Sequence, residues 1–81
     1  MMTITVRFFA SIREKLGKSE DRVSCQGIRT VADVWQRVAG VPAAPSMLAA
    51  INQEYAGLDA VVKDGDEVAF FPPVTGGGGQ P

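Results

Sequence analysis

Only one stretch of the 81-residue chain has the pattern of a substantial helix, and it sets the architecture. In TVADVWQRVAG (residues 30–40), Val31, Val34, Trp35, Val38 and Ala39 follow the i, i+3, i+4, i+7, i+8 spacing that lines one helix face. Thr30 opens it, with Asp33 three residues on, as a capping box that satisfies the first free N–H groups. Gly40 closes it, and Pro42 and Pro45 forbid its continuation. One such helix can cover one face of a small sheet and no more. The strands elsewhere in the chain must therefore form a single layer beneath it, with the other sheet face wet.

Those strands are legible from alternation. TITVRFF (3–9) sends Ile4, Val6 and Phe8 to one side and Thr3, Thr5, Arg7 and Phe9 to the other. RVSCQ (22–26) predicts a second strand, with Val23 and Cys25 inward. MLAAINQ (47–53) reads as a third, although an apolar run this short also suits a buried helix. After Leu58, Val61 and Val62, the turn signal Lys63-Asp64-Gly65 leads into a last strand, DEVAFF (66–71). Pro72 and Pro73 end it, because neither can donate to a ladder. Between the first two strands, SIREKLG predicts a short helix at 12–16, capped by Ser11 with Glu14 and stopped by Gly17. The class is α+β, a single domain over residues 1–71, followed by a flexible tail over 72–81.

Composition narrows the function. Eight Lys or Arg balance nine Asp or Glu, and the signs are interspersed, so the basic stripe of a nucleic-acid binder is missing. The apolar run Met47–Ile51 is far short of a membrane span, and the N-terminus, with Arg7 inside its apolar stretch, offers no signal-peptide pattern. A single cysteine excludes an internal disulfide and fits a cytoplasmic location. With no histidine, neither a Ser-His nor a Cys-His dyad can form, nor a His/Cys metal cage. The carboxylates show no pairing that singles out an acid and a base. The chain is not expected to be an enzyme by itself, and Cys25 reads as a small buried hydrophobe.

Two features point to a partner. If the first and last strands are neighbours, Phe9 and Phe71 lie together on the open sheet face, unless a loop covers one of them. Beyond Glu67 no charged side chain follows, and the chain reads FFPPVTGGGGQP. Glycines can thread a channel too narrow for any side chain, and the six residues 72–77 could project a reactive end by about 20 Å. A run of four glycines also suits a simple linker.

FFASIREKLG (8–17), LAAINQ (48–53) and KDGDEVAFFPPVTGG (63–77) resemble the small-subunit family of molybdopterin synthase, ubiquitin-like sulfur carriers. The likeness spans residues 2–77, and its specific part joins turn, strand and diglycine at the family spacing. It implies a β-grasp fold with the first and last strands adjacent and parallel. It also implies a function. An ATP-dependent adenylating partner activates the C-terminal glycine carboxylate, and a sulfur donor converts it to a thiocarboxylate. The large catalytic subunit then accepts the tail, whose sulfur goes to cyclic pyranopterin monophosphate to build the molybdopterin dithiolene. No cofactor is bound by the carrier itself; ATP is used by its activating partner.

Carried onto this chain, the resemblance makes Gly77 and Gly76 the reactive end. Phe9, Phe71, Pro72, Pro73, Val74 and Thr75 become the partner-binding set, in a heterotetramer of two carriers and two large subunits. In the family the protein stops at the second glycine, whereas here Gly78-Gly79-Gln80-Pro81 follow. The expectation is that trimming exposes Gly77; exposure of Gly79, or an inactive chain, are the alternatives. Carriers for thiamine or thionucleoside synthesis, and ubiquitin-like modifiers or binding modules, share the diglycine and remain open at this stage.

Overall fold

In the computed structural model, which describes residues 3–73, the first and last strands of that span lie side by side. Strand β1 (Thr3–Phe8) runs parallel to β5 (Glu67–Phe71), with Val6 opposite Val68 and Phe8 opposite Phe70. Between them come α1 (Ala10–Leu16), β2 (Glu20–Ser24), α2 (Val31–Ala39), β3 (Leu48–Ile51) and β4 (Glu54–Ala56). The sheet order is β2-β1-β5-β3-β4, and every pairing except β1–β5 is antiparallel. This is the β-grasp arrangement, a mixed five-stranded sheet whose one main helix packs on a single face.

That helix forms where the periodicity places it. Thr30 accepts from the Asp33 N–H, and the Asp33 carboxylate accepts in turn from the Thr30 and Arg29 N–H groups. Two further free donors, the N–H groups of Val31 and Ala32, reach the carbonyls of Ala60 and Leu58. The 58–62 segment thus closes over the helix start, burying Val62 and leaving Val61 exposed. Gly40 ends the helix in the left-handed region (φ +78°). The buried face of α2, Val31, Val34 and Trp35, meets Ile4, Val6, Phe8, Val68, Phe70 and Ala49 from the sheet.

Four expectations need correction. The short helix starts at Ala10, two residues early, and Ser11 does not cap it: the cap position is Phe9, with no side-chain bond. The reason lies in β1: Phe9 stays extended and donates its N–H to the Phe70 carbonyl, and the chain then turns sharply at Ala10 (φ +55°). The second strand is 20–24 rather than 22–26: its register against β1 runs from Arg7–Glu20 to Thr3–Ser24, and Cys25 and Gln26 fall in the turn that follows. Cys25 consequently lies beyond the strand, half-buried against the core. The run 47–53 is not one strand: it ends at Ile51, turns at Asn52-Gln53 and returns as β4. The last strand starts at Glu67, since Asp66 turns its carboxylate inward to the Lys63 N–H and the Asn52 amide.

Candidate functional site

The four phenylalanines of the chain come as two dipeptides, Phe8-Phe9 and Phe70-Phe71. Alternation sends one ring of each inward and the other out, and the parallel register brings like beside like. On the open face Phe9 and Phe71 stack with ring centroids 4.9 Å apart and planes 7° from parallel. Phe9 is 38% exposed and Phe71 half-buried. The expected juxtaposition is therefore present.

The next row of the sheet makes a hollow beside it. Glu20, Arg7, Ala69, Ala50 and Tyr55 stand in register across all five strands. Two methyl groups in the centre and long side chains at the flanks leave a concavity of about 320 Å³. Phe9, Phe71 and Tyr55 form its aromatic wall, and Arg7, Glu67 and Gln53 its polar rim. Tyr55 is 78% exposed, its ring 6.1 Å from that of Phe71 and tilted by 55°. The Arg7 Nε donates to the Glu67 carboxylate at 2.7 Å, and its Nη2 lies 3.9 Å from Glu20. An apolar hollow with an aromatic wall and a paired polar rim has the composition of a protein-docking surface.

Of the residues singled out from the sequence, Phe9 and Phe71 come together here, with Pro72 and Pro73 following directly from the end of β5. Val74, Thr75, Gly76 and Gly77 lie outside the described residues. The sequence reading missed Tyr55 and the Arg7–Glu67 pair. Tyr55 sits on a three-residue strand behind a two-residue turn, too short for alternation to register. The signal that could have found it is Asn52 followed by a polar pair and an aromatic. Among the described residues, no group of three or more His, Cys, Asp or Glu is placed to hold a metal ion. No helix among them is long and apolar enough to cross a membrane.

Comparison with known proteins bears on what this surface serves. Residues 6–77 match the ThiS family. The sequence is 41% identical to the molybdopterin synthase sulfur carrier subunit of Escherichia coli (strain K12), over 91% of this chain and 99% of that protein. It is 39% identical to the protein of the same name from Haemophilus influenzae, again covering 91% of this chain and 99% of the other. The fold is similar to that of small archaeal modifier protein 1 of Haloferax volcanii. That comparison has a TM-score of 0.76 at 26% identity, covering 91% of this chain and all (100%) of the other.

Proposed function

The chain belongs to the ThiS family, and from that premise we propose that it is the sulfur carrier subunit of a molybdopterin synthase. The observation that carries the reading is the Phe9–Phe71 stack on the open sheet face, at the point where β5 hands over to Pro72-Pro73. A docking surface at the root of a tail that carries Gly76-Gly77 is what a carrier needs. The body binds the partner, and the tail delivers the reacting atom. The homologues' name implies a large catalytic subunit as that partner. The heterotetramer and the adenylating enzyme are parts of the same proposal.

The chemistry follows from the groups the tail offers. A carboxylate is a poor acyl donor until its oxygen becomes a leaving group. In the activating partner the Gly77 carboxylate attacks the α-phosphorus of ATP, and pyrophosphate leaves. A donor persulfide then adds at the acyl carbon and AMP departs; a second thiol cleaves the resulting acyl disulfide, taking the donor sulfur into a new disulfide and leaving the thiocarboxylate on Gly77. Gly77 has no Cβ to obstruct that carbon, and Gly76 keeps the approach narrow. Pro72 and Pro73 restrict the directions in which Val74 and Thr75 lead away from the body. The groups that handle the pterin belong to the large subunit. Trimming after Gly77 supplies the carboxylate this scheme requires.

The test is an adenylation and sulfur-loading assay on the chain ending at Gly77 beside the full-length chain. The shorter protein should gain the mass of one oxygen-to-sulfur exchange, and the full-length chain should gain nothing. Equal activation of both would remove the trimming step, and loading of neither would remove the carrier reading. A second reading, as a ubiquitin-like modifier, is favoured by the likeness to the archaeal modifier protein. It predicts isopeptide conjugates in cells, which the carrier reading does not.

A further inference from the structure

The β3–β4 hairpin turns on two residues, and both have left-handed backbone: Asn52 at φ +51° and Gln53 at φ +72°. With Ile51 opposite Glu54, this is a two-residue connection of the kind whose twist matches the flanking strands. Asparagine tolerates that backbone, but glycine or aspartate would turn the chain as well. The turn alone does not account for the other bonds of Asn52. Its backbone N–H donates to the Glu67 carbonyl at 2.7 Å, and its side-chain carbonyl accepts the Glu67 N–H at 3.0 Å. Its side-chain amide donates to the Asp66 carboxylate at 3.0 Å. Asp66 is only 6% exposed, and its second oxygen accepts the Lys63 N–H at 2.9 Å.

We propose that Asn52 is the positioning residue of the open-face concavity, holding its two polar rims in register with one side chain. The inference rests on the docking reading of that face. On one rim, Asn52 brackets the backbone of Glu67, whose carboxylate accepts from Arg7 at 2.7 Å. On the other, it closes the hairpin that carries Gln53 and Tyr55. The site asks for three things: tolerance of positive φ, a donor for Asp66 and an acceptor for the Glu67 N–H. A neutral amide supplies the last two together. A carboxylate at this position would face that of Asp66, and like charges at such a distance repel.

This gives a test by exchange. In N52G the turn survives but both side-chain bonds are lost. In N52D a second carboxylate meets Asp66. In the double variant N52D/D66N the pair is reciprocal: the introduced amide donates to the introduced carboxylate and still accepts from the Lys63 N–H. Titration of the full-length chain against the large subunit of molybdopterin synthase should show roughly tenfold weaker binding for N52G. N52D should be weaker again, and N52D/D66N should return to within about twofold of the parent, on the same arithmetic. By NMR, the Arg7 Nε–H signal should move in N52G and return in the double variant, a change that a role confined to the turn would not produce.

Unchanged affinity and an unmoved Arg7 signal in folded N52G would overturn the proposal, as would a double variant that recovers neither. Should N52G fail to fold, the double variant compared with N52D decides in the same way. If neither the parent chain nor its form ending at Gly77 binds the large subunit, the docking reading falls. The Arg7 signal across the series then still decides whether Asn52 sets the rims.

Discussion

The two faces of the sheet use the same residue to opposite ends. Phe8 and Phe70 point into the core and are 1% and 0% exposed; Phe9 and Phe71, one position further along each strand, point away from it. The inner rings are 6.4 Å apart, and Trp35 meets both edge-on, at 6.4 Å from Phe8 and 5.0 Å from Phe70. The outer rings, with no helix above them, close to 4.9 Å. Inside, the gain from burial is already realised in folding. Outside, part of it is held back until something covers the pair, and that remainder is available for association. Hydrophobic character alone does not say which role a phenylalanine has; the face it occupies does.

Substitution should separate the faces sharply. Phe70→Ala removes a ring packed against Phe8 and Trp35, and should cost about 3–5 kcal/mol. For a domain of this size that is a large share of a total of roughly 5–15 kcal/mol. Urea unfolding should show a much lowered midpoint. Phe71→Ala should keep the fold, with a change of about 1 kcal/mol or less, as expected at a surface position. Its affinity for the large subunit should instead fall by about 2 kcal/mol or more, the mark of an interface anchor. If Phe71→Ala destabilised the free chain as much as Phe70→Ala, the outer pair would be structural and the contrast between the faces would collapse.

The contrast was readable before the structure because period-2 alternation in β1 and β5 is long enough to define both faces, and because one amphipathic helix can cover only one. What escaped were features fixed by tertiary bonding. Asn52-Gln53 lacks the glycine that usually announces a two-residue turn, so β4 and Tyr55 went unseen. Ser11 and Glu14 have the spacing of a capping box, yet the Phe9 N–H is held by Phe70, which places the start of α1 earlier. A pattern in sequence competes with hydrogen bonds from a strand more than fifty positions away, and there the strand prevailed. Arg7 and Glu67 carry no local signal for each other; only the parallel pairing of β1 and β5 brings them within 2.7 Å.

The covered face depends on α2 being held at its N-terminus, and this can be weakened without touching the open face. Thr30→Ala should cost about 1 kcal/mol, with docking unchanged. The same box gives stability a pH dependence. The N–H groups of Arg29, first, and Thr30 hold the Asp33 carboxyl below its usual range. A depressed folded pKa contributes stability that is fully present above the ordinary aspartate value and is lost as pH falls through the folded one. Thermal unfolding from neutral pH into acid should show this loss, and Asp33→Asn should flatten its part of the slope. A slope unaffected by that change would mean that other carboxylates, Asp21 beside Lys18 among them, account for the acid limb.

The smallest expected effect is the most discriminating, because it has opposite signs in the two measurements. Gln53 holds a left-handed backbone (φ +72°) that an L side chain adopts at a cost of about 1 kcal/mol, and glycine carries no such penalty. Gln53→Gly also gives the hairpin the Asn-Gly pair favoured in such turns. The free chain should therefore be stabilised by about 0.5–1 kcal/mol in urea. Yet the glutamine side chain lines the rim opposite Arg7 and Glu67, and its loss should weaken docking a few-fold. If Gln53→Gly gained stability with no loss of affinity, Gln53 would drop out of the docking surface, and the polar rim would reduce to Arg7 and Glu67.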